Sequence, residues 1–239
     1  MILARSALFN LYFFTVTAVL CVLSVGFRLF APGRILVIPV LWGRWVLAGL
    51  RVICRIRVEV LGAERLPRGG AALIASRHQS AFDTVVWLAL LPRCAYVVKQ
   101  ELARIPLFGG MMGPAGMIVV DRAAGAGAMR HLMREAERAA REERQIVIFP
   151  EGTRSPSGTM GALHPGIAAI AARTRLPIIP VITDSGRFWG RRAFRKIPGT
   201  IRIALLPPIP PGGTRDALMA ELASALSSAL PEPVDKSGD

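Results

Sequence analysis

The chain has 239 residues, 52% of them hydrophobic, and its 30 Lys and Arg against 16 Asp and Glu give a formal net charge of +14. This length accommodates one domain with a sizeable core plus a short extra segment, and it favours that organisation over two full domains. A chain that is both apolar and strongly basic is typical of proteins that bind an anionic membrane surface, with nucleic-acid binding as the alternative.

The N-terminal segment predicts a membrane anchor. Residues 6–27 form an uncharged run of 22 residues, which as a helix spans roughly 30 Å of hydrocarbon. A retained anchor is favoured over a signal peptide, because the run is long and no small-residue cleavage site follows it. The next apolar segment, 35–55, carries Arg44, Arg51 and Arg55 on one helical face, so we expect an embedded or re-entrant helical hairpin.

Beyond residue 55, short β-branched runs alternate with helical stretches. Strands are predicted at 56–60, 71–75, 94–98, 116–120, 145–149, 177–182 and 200–205, and helices at 81–91, 126–143, 165–174 and 214–229. This alternation predicts an α/β fold with a largely parallel mixed sheet flanked by helices, in which ligands bind beyond the carboxyl ends of the strands. We assign residues 1–55 to the membrane anchor, 56–230 to the α/β domain and 231–239 to a disordered tail.

The stretch SRHQSAFDT, residues 76–84, follows the second predicted strand. A helix start explains Ser80 as the N-cap and Asp83 in the first turn, but it does not explain His78. At a strand's carboxyl end His78 would face the crevice, with Asp83 reaching back to one ring nitrogen while the other accepts a proton from a hydroxyl. Two interpretations stay open: a general base with its carboxylate partner, or a capped helix with an incidental histidine.

Basic residues end three of the predicted strands. The segment FPEGTRS combines a tight turn, a hydroxyl and Arg154, which suits a phosphate; the alternative is an ordinary polar turn with a solvated Glu151. Lys99 and Arg122 end two other strands, on either side of a Gly-, Met- and Pro-rich apolar loop. We expect Lys99, Arg122 and Arg154 to converge on one mouth that suits a small phosphorylated substrate.

The three cysteines are widely spaced, without a CxxC pair or a His/Cys cluster. This spacing indicates reduced, buried thiols in a cytosolic environment, and no metal site is expected.

Together these stretches resemble the 1-acyl-sn-glycerol-3-phosphate acyltransferases, the glycerolipid acyltransferases that make phosphatidic acid. The matching blocks are RHQSAFD (an HxxxxD motif), KQELARIPLFGG through IVVDR, FPEGTRS and LPIIPVIT, in the family's order and spacing, over about residues 56–215. The resemblance implies the glycerolipid acyltransferase fold behind an N-terminal membrane-embedded hairpin. It implies that His78 is the general base with Asp83 as its partner, that Pro180 shapes the acyl-donor site, and that the glycerol phosphate is bound by Lys99, Arg122, Glu151, Gly152, Thr153 and Arg154.

Two positions depart from the family pattern. Arg77 stands where Asn is common, and we expect its side chain to point outward toward anions. His164, in LHPG, stands where many relatives carry the lysine of a Phe-Lys pair, and a neutral His164 would remove one positive charge from the substrate mouth.

By the resemblance, the reaction is direct transfer of an acyl group from acyl-CoA or acyl carrier protein, as co-substrate and with no other cofactor, to the sn-2 hydroxyl of lysophosphatidic acid. The expected location is the inner (cytoplasmic) membrane, with the catalytic domain on the cytoplasmic face. One alternative is the same chemistry on another lysolipid or an amino-acid lipid. The other is a non-catalytic basic membrane-binding protein.

The segment SGRFWGRRAFRK, residues 185–196, mixes five basic residues with Phe188, Trp189 and Phe194. After an apolar anchor this mixture favours a membrane-surface loop over a nucleic-acid patch, and no nucleic-acid partner is expected. A solvated basic loop without a partner is the remaining alternative.

Overall fold

The computed structural model describes residues 1–105, 109–121 and 124–230. Within these residues, seven strands form one sheet in the order β1-β7-β6-β2-β5-β3-β4. The strands are β1 (Ile56–Leu61), β2 (Ala72–Ser76), β3 (Cys94–Lys99), β4 (Ile118–Val120), β5 (Gln145–Ile148), β6 (Ile178–Thr183) and β7 (Gly199–Leu205).

Five neighbouring strands, from β6 to β4, run parallel, whereas β7 pairs antiparallel with β6 and parallel with β1. The predicted largely parallel mixed sheet is therefore confirmed. Since β2 lies between β6 and β5, the segments that follow these three strands emerge side by side at one edge of the sheet.

Helices cover both faces of the sheet. They are α1 (Ile2–Phe30), α2 (Val37–Ile53), α3 (Phe82–Leu90), α4 (Gln100–Ala103), α5 (Gly109–Met112), α6 (Gly125–Arg141), α7 (Gly166–Thr174), α8 (Ser185–Phe188) and α9 (Arg215–Ser227). Side chains alternate along β2, so Ile74 packs in one apolar cluster with α1, α2 and α3, and Leu73 packs in a second with α6, α7 and α9. Both side chains are fully buried, which contributes about 1.5–3 kcal/mol for each.

The long helices and the strands fall close to their predicted bounds. The helix predicted at 126–143 is observed at Gly125–Arg141, and the strand predicted at 116–120 is shortened to Ile118–Val120. The four-residue helices α4, α5 and α8 were not predicted, because one turn is too short to show a helical period.

Two N-terminal helical segments, Ile2–Phe30 and Pro32–Ile53, are each long and apolar enough to cross a membrane, a weak indication by itself, and 28% and 33% of their most apolar windows are buried. Large apolar side chains such as Leu11, Phe14 and Val22 are exposed on α1. The helices are joined by a short turn at Pro32–Arg34, which fits the predicted hairpin.

The hairpin is also packed against the α/β domain. Phe9 and Leu50 belong to the same buried cluster as strand residues, and α2 lies so close to α3 that a Cβ at Gly43 would stand 2.9 Å from the Ala89 backbone nitrogen. The boundary at residue 55 stays a prediction, as does the tail, because residues 231–239 lie outside the described part of the chain.

Candidate active site

His78 and Asp83 meet at the carboxyl end of β2. Nδ1 of His78 lies 3.2 Å from Oδ2 of Asp83, which is in the first turn of α3. The imidazole lines a cavity, and among the described residues its Nε2 atom has no hydrogen-bond partner. A neutral imidazole in this arrangement carries its proton on Nδ1 and presents Nε2 as a base.

The Asp83 carboxylate is held by three further donors. Its Oδ2 atom accepts the backbone N–H groups of Gln79 (2.7 Å) and Ser80 (2.8 Å), while Oδ1 accepts the Ser185 hydroxyl at 2.6 Å. Asp83 is 2% exposed, so charge-assisted hydrogen bonds from these donors compensate for its burial. One carboxylate oxygen therefore both caps the turn and contacts the histidine ring, a geometry that fits either interpretation, and the general-base role stays a prediction.

Ser185 was missed in the sequence. It begins α8 directly after β6, is fully buried, and contacts a residue 102 positions away. The available signal was its position beyond the carboxyl end of a strand, where ligand-facing groups collect.

The His78 ring is stacked on Phe149, with ring centroids 4.1 Å apart and an interplanar angle of 18°. Both backbone polar groups of His78 are also hydrogen-bonded. Its N–H donates to Oε1 of Glu151 at 3.2 Å, and its carbonyl accepts from the Ser155 N–H at 2.8 Å. The segments after β2 and β5 therefore form one rigid unit around the histidine.

Glu151 is at the centre of this unit. It is 3% exposed, and its carboxylate also accepts hydrogen bonds from the Ser155 hydroxyl (2.5 Å), the Gly161 N–H (2.9 Å) and the Arg77 guanidinium (3.4 Å). Glu151 does not line the cavity among the described residues. Glu151 therefore holds the loop together, and the phosphate contact that the resemblance implied stays a prediction.

The expectation that Arg77 points outward is wrong. Arg77 is 9% exposed, and besides Glu151 its guanidinium donates to the carbonyls of Leu226 (3.2 Å) and Thr159. A cation between a strand and α9 needs such acceptors, and the buried Glu151 carboxylate supplies the opposite charge.

The cavity beside His78 has a volume of about 900 Å³. Apolar side chains from both the α/β domain and the N-terminal helices form its walls, for example Leu20 of α1, Trp42 of α2 and Met117. Its Lys, Arg, Glu and His lining residues among those described are Lys99, Glu101, Arg154, Arg191, Arg192, His78 and His164. A largely apolar space lined by more cationic than anionic side chains suits an amphipathic anion.

The predicted phosphate ligands are distributed unevenly. Lys99, Gly152, Thr153 and Arg154 line the cavity, and Gly152 has a φ of 66° that allows the tight turn. Arg122 lies outside the described residues. Burial lowers the pKa of Arg154, and its Nε atom is buried without a hydrogen-bond partner.

Pro180 lies inside β6, opposite Ala75 of β2. It is buried, and its carbonyl accepts from the Leu206 N–H at 2.9 Å. Pro180 does not line the described part of the cavity, so any effect of Pro180 on a donor site would be transmitted through the strand.

Parts of the segment 185–196 are packed inward, and its predicted contact with a membrane surface stays a prediction. Trp189 is 8% exposed and makes edge contacts with Phe9 of α1 at 5.5 Å and with Phe13 at 6.2 Å. Lys196 is buried and donates to Oδ1 of Asn10 at 2.5 Å. Of the three aromatic residues, Phe194 is exposed.

The three cysteines are free and buried, as predicted. Within residues 1–105, 109–121 and 124–230, no group of three or more His, Cys, Asp or Glu side chains is placed to hold a metal ion.

Comparison with known proteins assigns a family to this arrangement. A family model described as "Acyltransferase" matches residues 57–184. The chain is 32% identical over 181 residues to the 1-acyl-sn-glycerol-3-phosphate acyltransferase of Pseudomonas aeruginosa, covering 76% of this chain and 70% of that protein. It is 29% identical over 189 residues to the 1-acyl-sn-glycerol-3-phosphate acyltransferase alpha of Bos taurus, covering 78% and 66%.

Among solved structures, the 1-acyl-sn-glycerophosphate (LPA) acyltransferase of Thermotoga maritima matches with a TM-score of 0.78 over 95% of both chains, at 22% identity. The two chains therefore share one fold, including the region of the N-terminal helices.

Proposed function

The chain belongs to the acyltransferase family, and we propose that it moves a fatty acyl group from acyl-CoA or acyl carrier protein to the sn-2 hydroxyl of lysophosphatidic acid, giving phosphatidic acid for phospholipid synthesis. The observation that carries this proposal is the placement of His78, held by the buried Asp83, and of Arg154 on one largely apolar cavity of about 900 Å³. The relatives named for this activity support the choice of acceptor.

The chemistry proceeds without a covalent acyl-enzyme. Nε2 of His78 takes the proton of the acceptor hydroxyl as its oxygen attacks the thioester carbonyl, and the Asp83 carboxylate stabilises the imidazolium that forms. When the tetrahedral intermediate collapses, the carbon–sulfur bond breaks and the imidazolium returns the proton to the departing thiolate. The ester product and a free thiol leave, and His78 is neutral again.

The cationic end of the cavity binds the acceptor's phosphate. Arg154 supplies a guanidinium whose buried Nε has no partner among the described residues, and Thr153 and Lys99 add a hydroxyl and an ammonium. Guanidinium groups bind phosphate oxygens in a two-pronged geometry. The acyl chains extend along the apolar walls.

The exposed apolar residues of α1 and α2 support a location at a membrane. We assign it to the inner membrane, with the hairpin embedded and the catalytic domain on the cytoplasmic face, where thioester donors occur. No nucleic-acid partner enters this scheme.

The test uses full-length protein in neutral detergent micelles, labelled palmitoyl-CoA or palmitoyl-acyl carrier protein, and a panel of lysolipids. We expect turnover with lysophosphatidic acid, its loss with His78→Ala, and a raised KM for the acceptor with Arg154→Ala. His131→Ala is the matched control, because His131 lies on α6, binds the Val119 carbonyl at 3.1 Å and does not line the cavity. If no lysolipid is acylated, or if His78→Ala retains full turnover, the proposed function is refuted.

A further inference from the structure

Two adjacent arginines with no role in the family motifs lie at the same cavity. They belong to a turn, residues 190–193, closed by a hydrogen bond from the Ala193 N–H to the Gly190 carbonyl at 3.1 Å. Hereafter this turn is called the basic turn. Arg191 and Arg192 both line the cavity that holds His78 and Arg154.

We propose that Arg191 and Arg192 complete the phosphate site with Arg154, and that the three guanidinium groups select an acceptor with a dianionic phosphomonoester headgroup. This inference rests on the proposed function, since it names the headgroup for which that site is built. The relevant ligand chemistry is a terminal phosphate, which carries a charge of about −1.5 to −2 near neutral pH, against one negative charge on a phosphodiester.

The charges of Arg154, Arg191 and Arg192 support this proposal. Among the described residues no carboxylate forms an ion pair with Arg154, Arg191 or Arg192, whereas other arginines of the chain do have such partners. Burial lowers the pKa of Arg154, the nearby Asp83 carboxylate raises it, and the positive charges of Arg191 and Arg192 lower it. Three like charges at one cavity end repel each other, and an anion of matching charge relieves that repulsion.

The second argument is the rigidity of the basic turn. On its N-terminal side, Trp189 is packed against Phe9 and Phe13 of α1. On its C-terminal side, Lys196 is buried, and its ammonium lies 5.1 Å from the centre of the Trp189 ring.

Backbone contacts close the segment around the turn. The Lys196 N–H donates to the Ser6 hydroxyl at 2.9 Å, and the Ile197 N–H donates to the Phe188 carbonyl at 2.8 Å. A turn fixed at both ends presents the two arginines from a backbone that loses little conformational entropy on binding.

This arrangement also gives the inward-folded segment a purpose. Trp189 and Lys196 dock it on α1, while Arg191 and Arg192, which lie between them in the chain, line the cavity. Of the basic residues that suggested a membrane surface, Lys196 thus docks the segment, and Arg191 and Arg192 bind the substrate.

The experiment compares wild type with the double variant Arg191→Gln/Arg192→Gln. Both side chains are exposed, so the fold is expected to persist, and melting temperature checks this. The matched control is Arg195→Gln, an exposed arginine of the same segment that does not line the cavity. The conservative variant Arg191→Lys/Arg192→Lys keeps the charge but loses the forked geometry.

KM for lysophosphatidic acid is measured at saturating palmitoyl-CoA in neutral micelles, and lysophosphatidylglycerol is titrated as a competitive inhibitor. We expect the double Gln variant to raise KM for lysophosphatidic acid by about ten-fold or more with kcat within about two-fold, because two charge-assisted contacts are lost. The inhibition constant of the monoanionic diester is expected to change by less than about three-fold. The Lys variant is expected to lie between wild type and the Gln variant.

Further measurements distinguish binding of the acceptor from binding of the acyl donor and from a general effect of surface charge. If KM for palmitoyl-CoA rises while KM for lysophosphatidic acid does not, the turn binds the donor's phosphates and the inference is overturned. An equal effect of Arg195→Gln would show a general surface-charge effect and would also overturn it. If wild type acylates lysophosphatidic acid but the Gln variant is unchanged, this inference alone fails; if wild type acylates no lysolipid, both proposals fail.

Discussion

Replacing Asp83 by Asn separates the charge of this carboxylate from its geometry. The backbone N–H groups of Gln79 and Ser80 lie 2.7 and 2.8 Å from Oδ2, so the amide oxygen of Asn must occupy that position. The amide NH₂ then faces the Ser185 hydroxyl, which can rotate to accept it. His78 keeps an acceptor for its Nδ1–H, and the variant loses the negative charge alone.

The size of the effect follows from the geometry. With Nδ1 of His78 and Oδ2 of Asp83 3.2 Å apart, the centres of charge are about 4 Å apart, which corresponds to about 4 kcal/mol for full charges at an effective dielectric of about 20. If about half of the imidazolium charge has formed in the transition state, the loss is about 2 kcal/mol, or roughly 30-fold in kcat. Asp83→Ala also leaves two buried N–H groups without an acceptor, which costs about 1–3 kcal/mol of stability for each. We expect this variant to lower kcat by roughly 1000-fold or more.

The assay is the initial rate of labelled acyl transfer at saturating acceptor and donor, with the melting temperature of each variant recorded. Equal losses of kcat for the Asn and Ala variants would refute the argument that the two backbone N–H groups preserve the orientation of His78. Wild-type kcat in the Asn variant would show that no imidazolium develops in the rate-limiting step.

Three further outcomes are expected. In wild type several donors share the buried Glu151 carboxylate, and Glu151→Gln would place an NH₂ group among them. The substitution should lower the free energy of unfolding by about 2 kcal/mol or more in denaturant titration. An unchanged free energy of unfolding would contradict the role of Glu151 in holding the loop. Ser185→Ala removes the donor to Oδ1 of Asp83 and should lower kcat about 3–10-fold with KM for the donor unchanged, whereas an unaltered kcat would mean that the backbone donors suffice. Alkylation by iodoacetamide at pH 8 should be slow in the native protein and complete in denaturant, since the thiols are buried and burial raises the pKa of Cys94; rapid native labelling, read by mass spectrometry, would contradict this.

Much of the fold was predictable because its signals are local. The alternation of apolar runs located all seven strands, and residues placed directly after strands, such as His78 and Arg154, were expected at one edge of the sheet. The partnership of His78 with Asp83 was also within reach, since it spans five positions and one helical turn.

What escaped prediction depends on contacts between distant segments. Ser185 carries no motif, and its contact with Asp83 exists only because β6 lies beside β2. The inward turn of Arg77 reflects a buried carboxylate 74 residues away, while its charge alone favoured solvent. The inward docking of Trp189 likewise depends on aromatic side chains of α1 that no local pattern connects to it.

Leu20 and Trp42 line the cavity, so the first two helices form part of the cavity wall in addition to being the predicted membrane anchor. A soluble truncation beginning at the first strand would lose one side of this cavity, and with it the surface of α1 on which Trp189 and Lys196 dock the basic turn. Removing the two apolar helices to make the protein soluble is therefore expected to lower its activity as well. An engineered soluble form would need new residues to replace the wall of the cavity that these helices supply.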